Sequence, residues 1–343
     1  MITPTHKDLT SLNTFGLSVS SSRYIAIKTV DKLRKWCKET HDDNWLILGG
    51  GSNILFVDEP KGAVLHMNIP GIHYVQENDA YAWIQIGAGV VWHDVVLFAL
   101  RENLGGIENL ALIPGNCGAA PMQNIGAYGV ELNQVFDHLE AVNLKTGGIE
   151  IFNNESCRFG YRTSVFKTDY KNKFAITKIT LRLSKKPVIN TSYGSIDQEL
   201  KKKKIFKPGI QDVASAVIEI RRSKLPDPVQ TGNAGSFFKN PVITDAQFSE
   251  LIKSYPDLPG YKTDSGYIKI PAGWLIEKCG WKGKRVGNTG TWHQQALVII
   301  NHGGATGAEI LAMARTIRDD VFKSFSIELQ PEVNLIGIEQ EDF

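Results

Sequence analysis

A run of fifteen residues without a charge, GNCGAAPMQNIGAYG at 115–129, constrains this chain more than any other feature. Four of those residues are glycine, which sets the run apart from an ordinary solvated loop. Glycine lets the main chain turn through positive φ and present its N–H groups to a bound anion or ring. Gln123, Asn124 and Tyr128 add uncharged hydrogen-bonding groups. A large polyphosphate cofactor fits that description. A second stretch, LGGGSN at 48–53, has the same character and follows the apolar run Trp45, Leu46, Ile47, which predicts a buried strand. Either cluster alone reads as a tight turn; together they are suited to gripping one ligand from two sides.

Bulk properties narrow the partners. With 343 residues the chain is long enough for two or three domains, each with its own core. A formal net charge of +2, with 22% charged residues, implies no polyanion, so no nucleic-acid partner is expected. Cys37, Cys117, Cys157 and Cys279 form no C-x-x-C pair, which argues against a zinc ribbon, a redox dithiol or a disulfide scaffold and suits a reducing cytoplasm. The histidines lack metal-ligand spacing, so no metal is expected. The N-terminal residues contain no apolar core of a secretion signal, and no apolar run reaches membrane-span length, so the protein is expected to be neither secreted nor inserted.

Along the chain, 24–27 predicts a strand, and a helix from Asp31 carries Leu33, Trp36 and Cys37 on one face. The glycines at 49–51 do not continue as a dinucleotide fingerprint, because Ile54 stands at the third glycine position and a strand-like run follows. Gly87 and Gly89 also lack a third glycine, with Trp92 in its place, and read as a strand-to-helix turn. Residues 139–151 predict a hairpin turning at Gly147 and Gly148. In 174–183, Ala175, Thr177, Ile179, Leu181 and Leu183 alternate as one face of a half-buried strand. Lysines 201–204 read as a solvated surface run. Residues 209–220 predict a helix that the prolines at 226 and 228 end, with a domain boundary there. Capping boxes at Thr244/Gln247 and Thr306/Glu309, a helix between Pro271 and Gly280, and a strand at 296–301 complete an α+β or α/β pattern without repeats.

The second informative stretch is GNAGSFFKNP at 232–241. It is no nucleophile elbow, since Ala234 and Phe238 occupy the glycine positions around Ser236, but Lys239 and Asn240 beside it suit a phosphate or carboxylate. LGGGSN at 48–53, IPG at 113–115 with PMQNIGAYG at 121–129, GYRTSVFK at 160–167, GNAGSFFKNP at 232–241, AGWLI at 272–276 and PEV at 331–333 together resemble, in order, the UDP-N-acetylenolpyruvoylglucosamine reductase family. The resemblance runs from about Asn13 to about Gly337, and TSYG at 191–194 resembles the form of the family with a tyrosine-bearing loop over the substrate.

The resemblance implies an α+β, multi-domain flavoprotein with a vanillyl-alcohol-oxidase (PCMH-type) FAD-binding region of two subdomains plus an α+β substrate-binding domain. The expected boundaries are 1–70, with 326–343 returning to it, then 71–225 and 226–325. It implies that NADPH reduces FAD and leaves, and that the enolpyruvyl ether of UDP-N-acetylglucosamine then takes hydride from flavin N5, giving UDP-N-acetylmuramate for peptidoglycan in a bacterial cytoplasm. A monomer is expected. Arg162 would hold the substrate carboxylate and stabilise the enolate-like charge, Glu332 would polarise that carboxylate or relay a proton, and Ser236 would give the proton to the carbon beside it. Tyr193, Lys224 and Asn240 would bind the diphosphate, Gln295 the uracil region, and Lys282 would lie near the nucleotide. The flavin ligands would be Gly49, Gly50, Gly51, Ser52, Asn53, Gly115, Cys117, Gly118, Gln123, Asn124, Ile125, Gly126 and Gly129.

Neither loop contains a histidine, so the FAD is expected to be noncovalent. Cys117 and Ala120 stand where more serines would be expected, and Cys117 reads as a small loop residue. Gln330 precedes the PEV motif where a carboxylate would also fit, which leaves the acid role to Glu332. Two alternatives remain: a PCMH-type oxidase or dehydrogenase acting on an alcohol or sugar, which would need a base in place of Ser236, and a noncatalytic nucleotide-sugar-binding protein, which would not need Arg162, Ser236 and Glu332.

Overall fold

Strands Ser20–Ile27, Ala63–Met67 and Trp45–Leu48 pair in parallel in the computed structural model, which describes residues 2–40, 44–263, 265–338 and 343. Contacts divide the chain into two units. The first comprises Met1–Lys7, Ser21–Gly50 and Lys61–Arg222; the second comprises Asp8–Ser20, Gly51–Pro60 and Ser223–Phe343.

In the first unit the parallel strands need a crossover, and the helix Val30–Glu39 provides it. Thr29 caps it by accepting from the Lys32 amide, and Asp31 and Lys38 suit the two ends of its dipole. Leu33, Trp36 and Cys37 are buried as the periodicity predicts, with Trp36 edge-on to Trp45 at 5.7 Å. Burial pushes the Cys37 thiol up to about 11, as expected of an inert core residue.

A five-stranded antiparallel sheet follows, in the order Ile149–Asn153, Phe136–Asn143, Phe174–Ser184, Tyr81–Gly87, Ile72–Glu77. The hairpin at Gly147 and Gly148 is present, with Val142 opposite Ile149. Strand Phe174–Ser184 departs from the alternation read from sequence. Glu140 faces Lys178 and Ala141 faces Ile176, so Thr177 is an extra, bulged residue and the facing of the side chains inverts there. Ala175 joins the core beneath the parallel sheet with Met67 and Val142, while Ile176, Ile179, Leu181 and Leu183 join the larger core. The strand is covered on both faces as far as Thr177 and half-buried beyond it, where Ile179, Leu181 and Leu183 face the core and Arg182 is exposed.

Into that larger core the helices Trp92–Arg101 and Ile210–Lys224 contribute Val95, Val96, Ala99, Val213, Val217 and Ile220. The helix Gly194–Lys202 was not visible in the sequence pattern. Lys201 and Lys203, in and just beyond it, pair with Asp197 and Glu219 at 2.7 and 2.6 Å on the surface, which agrees with a solvated run.

The second unit centres on an antiparallel sheet of Gly232–Ser236, Val298–Asn301, Thr289–Thr291 and Arg285–Val286. Both predicted capping boxes are formed, opening Asp245–Ser254 and Gly307–Phe325, and Pro271 precedes the helix Ala272–Lys278. Near the C-terminus, Asn334–Ile336 pairs in parallel with Ile54–Phe56. Buried Asn13 holds the preceding loop by donating to the Leu9 and Leu17 carbonyls at 3.0 Å each. Helices and predominantly antiparallel sheets in both units give an α+β fold.

Trp92 shows what holds the first unit's loops. Its indole donates to the Leu110 carbonyl at 3.0 Å with the side chain 1% exposed. Trp92→Phe leaves that carbonyl without its donor and opens a small void, so a loss of about 2 kcal/mol is expected in urea denaturation. Unchanged stability would show that the bond contributes nothing.

Candidate functional site

The two glycine loops meet in the first unit. A Cβ on Gly50 would lie 2.8 Å from Asn116 Oδ1 and 3.3 Å from Gly115 Cα, and one on Gly118 would lie 2.6 Å from Ala88 Cβ. Only glycine permits this closeness. The amides of Cys117 and Gly118 donate inward, to the Val90 and Ala88 carbonyls at 2.8 and 2.9 Å, and so pin the loop rather than face a ligand. Cys117 itself is fully buried, and desolvation, reinforced by Asp94, raises its thiol far above its ordinary range. Its side chain is a core contact.

Several bonds fasten 122–124 to the segment carrying Arg162. Ser164 Oγ donates to the Met122 carbonyl at 2.8 Å, and Lys167 Nζ to Gln123 Oε1 at 3.4 Å. Asn124, 1% exposed and at φ +44°, donates to Glu131 at 2.8 Å and to the Gly160 carbonyl at 3.4 Å, while its Oδ1 accepts from the Asn133 amide at 3.0 Å. Its side chain is therefore a structural tie. Ile125 is buried, Gly126 pairs with Glu131 across a short hairpin, and Gly129 turns at φ +79°. Reciprocal amide–carbonyl bonds between Gly160 and Thr163, at 3.1 and 3.3 Å, close the turn with Arg162 at φ +55°. A non-glycine residue in that region is strained, so the turn imposes the conformation on Arg162.

Arg221 escaped the sequence reading. Desolvation lowers the pKa of its guanidinium, and the nearby Arg162 charge adds to that, while Tyr128 opposes it. Its Nε donates to the Leu112 carbonyl at 3.1 Å, and it hydrogen-bonds the Tyr128 hydroxyl. Among the described residues the groups acting on it are Tyr128 and Arg162, with no carboxylate. Tyr193 stands edge-on to Tyr128 at 5.3 Å, and Asn109 and Asn190 join the two tyrosine segments. No local motif marks Arg221, Asn109 or Asn190, because their partners are distant in sequence.

The second unit assembles the remaining residues. Ser236 ends its strand opposite Val298 after a bulge, with Gly235 at φ +70° and its amide held by Asn233 Oδ1 at 2.9 Å. The Glu332 amide donates to the Phe237 carbonyl at 2.8 Å, Phe238 bridges Pro331, and Asn53 donates to the Glu332 carbonyl at 3.2 Å. Ser236, Glu332 and Asn53 thus lie on adjoining backbone. Gly51, next to Ser52, accepts from the Thr14 amide at 3.1 Å. Asn240 Oδ1 accepts from the Ala272 amide at 3.0 Å, and Gln295 Oε1 accepts from the Leu297 amide at 3.3 Å and lies against Gly273, so both gather at the start of Ala272–Lys278. Lys282 pairs with Glu277 at 2.9 Å on the surface, and exposed Lys224 ends its helix. Among the described residues no group of acidic, His or Cys side chains is arranged to hold a metal ion, and no helix is long and apolar enough to cross a membrane.

His93 holds the Leu112 peptide whose carbonyl accepts from Arg221. Its Nδ1 accepts from the Leu112 amide at 3.0 Å, which requires a neutral ring nitrogen at that position. Burial lowers its pKa from the ordinary 6.5, with Asp94 opposing and Arg222 and Arg221 reinforcing. Since the folded value lies below the unfolded one, its contribution to stability is complete above 6.5 and is lost as pH falls through the folded value. His93→Gln retains an acceptor that does not titrate. Urea midpoints at about pH 7.5 and about pH 5.5 are expected to differ less in this variant than in the parent. Equal differences would remove His93 from the acid sensitivity.

Comparisons with known proteins give a consistent result. A family model described as an FAD binding domain matches residues 22–152, and one described as the C-terminal domain of UDP-N-acetylenolpyruvoylglucosamine reductase matches 227–336. UDP-N-acetylenolpyruvoylglucosamine reductase of Flavobacterium johnsoniae is 44% identical over 329 residues, covering 96% of this chain and 98% of the relative. The protein of the same name from Amoebophilus asiaticus is 47% identical over 330 residues, covering 96% and 97%. That of Pseudomonas aeruginosa is 43% identical over 332 residues, covering 96% and 98%. The crystal structure of the Thermus caldophilus reductase shares the fold, with a TM-score of 0.69 at 22% identity over 98% of this chain and 100% of that one.

Proposed function

This chain belongs to the UDP-N-acetylenolpyruvoylglucosamine reductase family, and we propose from that membership how its residues divide the reaction. It is an FAD-dependent oxidoreductase that reduces UDP-N-acetylenolpyruvoylglucosamine for peptidoglycan precursor synthesis. Residues of the first unit support the cofactor reading: Gly50 lets the two glycine stretches approach closely, and among the described residues the groups acting on the Arg221 guanidinium include no carboxylate. FAD, when bound, supplies the hydride that reaches the terminal methylene carbon of the enolpyruvyl group, and NADPH is the proposed donor.

The observation that carries the assignment of roles is the placement of Ser236 and Glu332 on adjoining backbone, through the Glu332 amide and the Phe237 carbonyl. Ser236 donates a proton to the carbon beside the substrate carboxylate, where position matters more than intrinsic acidity. Glu332 polarises that carboxylate or relays the proton. Arg162 holds the carboxylate with its planar fork and opposes the charge that develops there. Tyr193, Lys224 and Asn240 bind the diphosphate, Gln295 the uracil region, and Lys282, paired with Glu277 at 2.9 Å, lies near the nucleotide.

The glycine stretches at 49–53 and 115–129 hold the FAD, noncovalently, since neither contains a histidine. The division at 1–70 with 326–343, 71–225 and 226–325 belongs to the same proposal, and the pairing of Asn334–Ile336 with Ile54–Phe56 supports a returning C-terminus. A cytoplasmic monomer with no nucleic-acid partner completes it; the small net charge supports the last point.

The test is anaerobic. Protein bleached with NADPH is expected to regain its flavin absorbance rapidly when the enolpyruvyl UDP-sugar is added, with UDP-N-acetylmuramate formed. In Ser236→Ala the bleaching step survives while reoxidation by substrate falls about 10²- to 10⁴-fold, the range for loss of a positioned proton donor. Undiminished reoxidation in the variant would remove Ser236 from the mechanism. A parent protein that stays bleached until oxygen enters would replace the reductase reading with an oxidase.

A further inference from the structure

The segment before helix Gly194–Lys202 carries Tyr193 but lies outside every sheet. Side-chain amides hold it instead. Asn109, 0% exposed in the turn Glu108–Leu110, donates through Nδ2 to the Tyr128 carbonyl and to the Asn190 carbonyl, each at 3.0 Å. Asn190 returns a bond from its own Nδ2 to the Gly129 carbonyl at 3.3 Å, and its Oδ1 accepts from the Ser192 amide and hydroxyl at 3.1 and 2.7 Å. Tyr128 then packs edge-on against Tyr193 at 5.3 Å. One buried amide therefore ties the end of the uncharged glycine-rich loop to the segment that presents Tyr193.

We propose that Asn109 is a positioning residue for substrate binding: its forked donation to Tyr128 and Asn190 sets where Tyr193 stands relative to the glycine-rich loop. The amide is chemically specific. An aspartate of the same shape has no Nδ2 donor and would bury a charge, and an alanine leaves two carbonyls without donors. Among the described residues nothing donates to Asn109 Oδ1, so the two bonds from Nδ2 are what this side chain supplies. This inference rests on the reading of Tyr193 as a diphosphate ligand.

The experiment measures FAD content, kcat and KM for the enolpyruvyl UDP-sugar in Asn109→Ala, Tyr193→Ala and the double variant. Asn109→Ala is expected to keep its flavin and its kcat within about twofold while KM rises about tenfold, the ratio that corresponds to one net hydrogen bond. In the double variant the Asn109 change adds nothing to the KM of Tyr193→Ala, because both act through one group. If Asn109→Ala does not accumulate as folded flavoprotein, Asn190→Ala carries the same test with a smaller rise in KM. A fall in kcat at unchanged KM, an unchanged KM, or additive effects in the double variant overturns the proposal while Tyr193→Ala still shows a raised KM. An unchanged KM in Tyr193→Ala overturns the underlying role of Tyr193 and the proposal with it.

Discussion

The glycine-rich loop of the first unit is anchored by backbone bonds to residues 88–92, and the contact between Ala88 and Gly118 is the one that continues into the sheet. The Ala88 carbonyl accepts from the Gly118 amide at 2.9 Å, and the Ala88 amide donates to the Thr177 carbonyl at 2.9 Å, at the bulge of Phe174–Ser184. A single peptide segment thus joins the sheet to the glycine-rich loop. Buried backbone groups must be paired, and here the pairing of one element is the anchor of the next. The bulge that disturbs the alternation of the strand places the Thr177 carbonyl where this connection needs it. Gly87 and Gly89 flank Ala88 as spacers for close packing, and Gly89 accordingly stands with a would-be Cβ 2.5 Å from Asn68 Cα.

Features that arise within a few residues were legible. The two capping boxes, the helix of Leu33, Trp36 and Cys37, the hairpin at Gly147 and the stop at Pro226 all depend on neighbours in sequence, and each is present. The bulge at Thr177 was not legible, because it exists only in the register with Glu140 and Ala141 of another strand. The chemical type of the candidate site was legible, since uncharged glycine runs and the segments around Arg162 and Ser236 are local patterns. The supporting set was hidden for the same reason as the bulge. Asn109 reaches partners 19 and 81 residues away, and Arg221 reaches one 109 residues away. Asn124 shows the converse, where a residue type suited to a ligand ties the loop to Gly160 and Glu131 instead.

Around Arg221 the charges oppose one another. Arg162 and Arg221 act on each other repulsively, and desolvation penalises the Arg221 charge further. Tyr128 offers a phenol oxygen where a carboxylate would give a stronger but self-neutralising pair. A neutral partner fixes the guanidinium without cancelling its field. His93 continues the same logic, since its acceptor nitrogen fixes the Leu112 peptide whose carbonyl orients Arg221. Arg221 is thereby held by a carbonyl and a phenol.

Rigidity is distributed according to the kind of bond available. Ser236 and Glu332 are set by main-chain pairing, with the Phe237 carbonyl accepting from Glu332 and the Phe237 amide donating to Leu297. Backbone positions vary little when side chains fluctuate, which suits groups proposed to meet one carbon at proton-transfer distance. Tyr193 is set by side-chain amides and an aromatic edge contact, which are fewer and individually easier to break. A hydroxyl proposed to hydrogen-bond a phosphate needs less exact placement than a group proposed to transfer a proton. The two modes of attachment therefore sort the candidate residues by the geometric precision their chemistry demands.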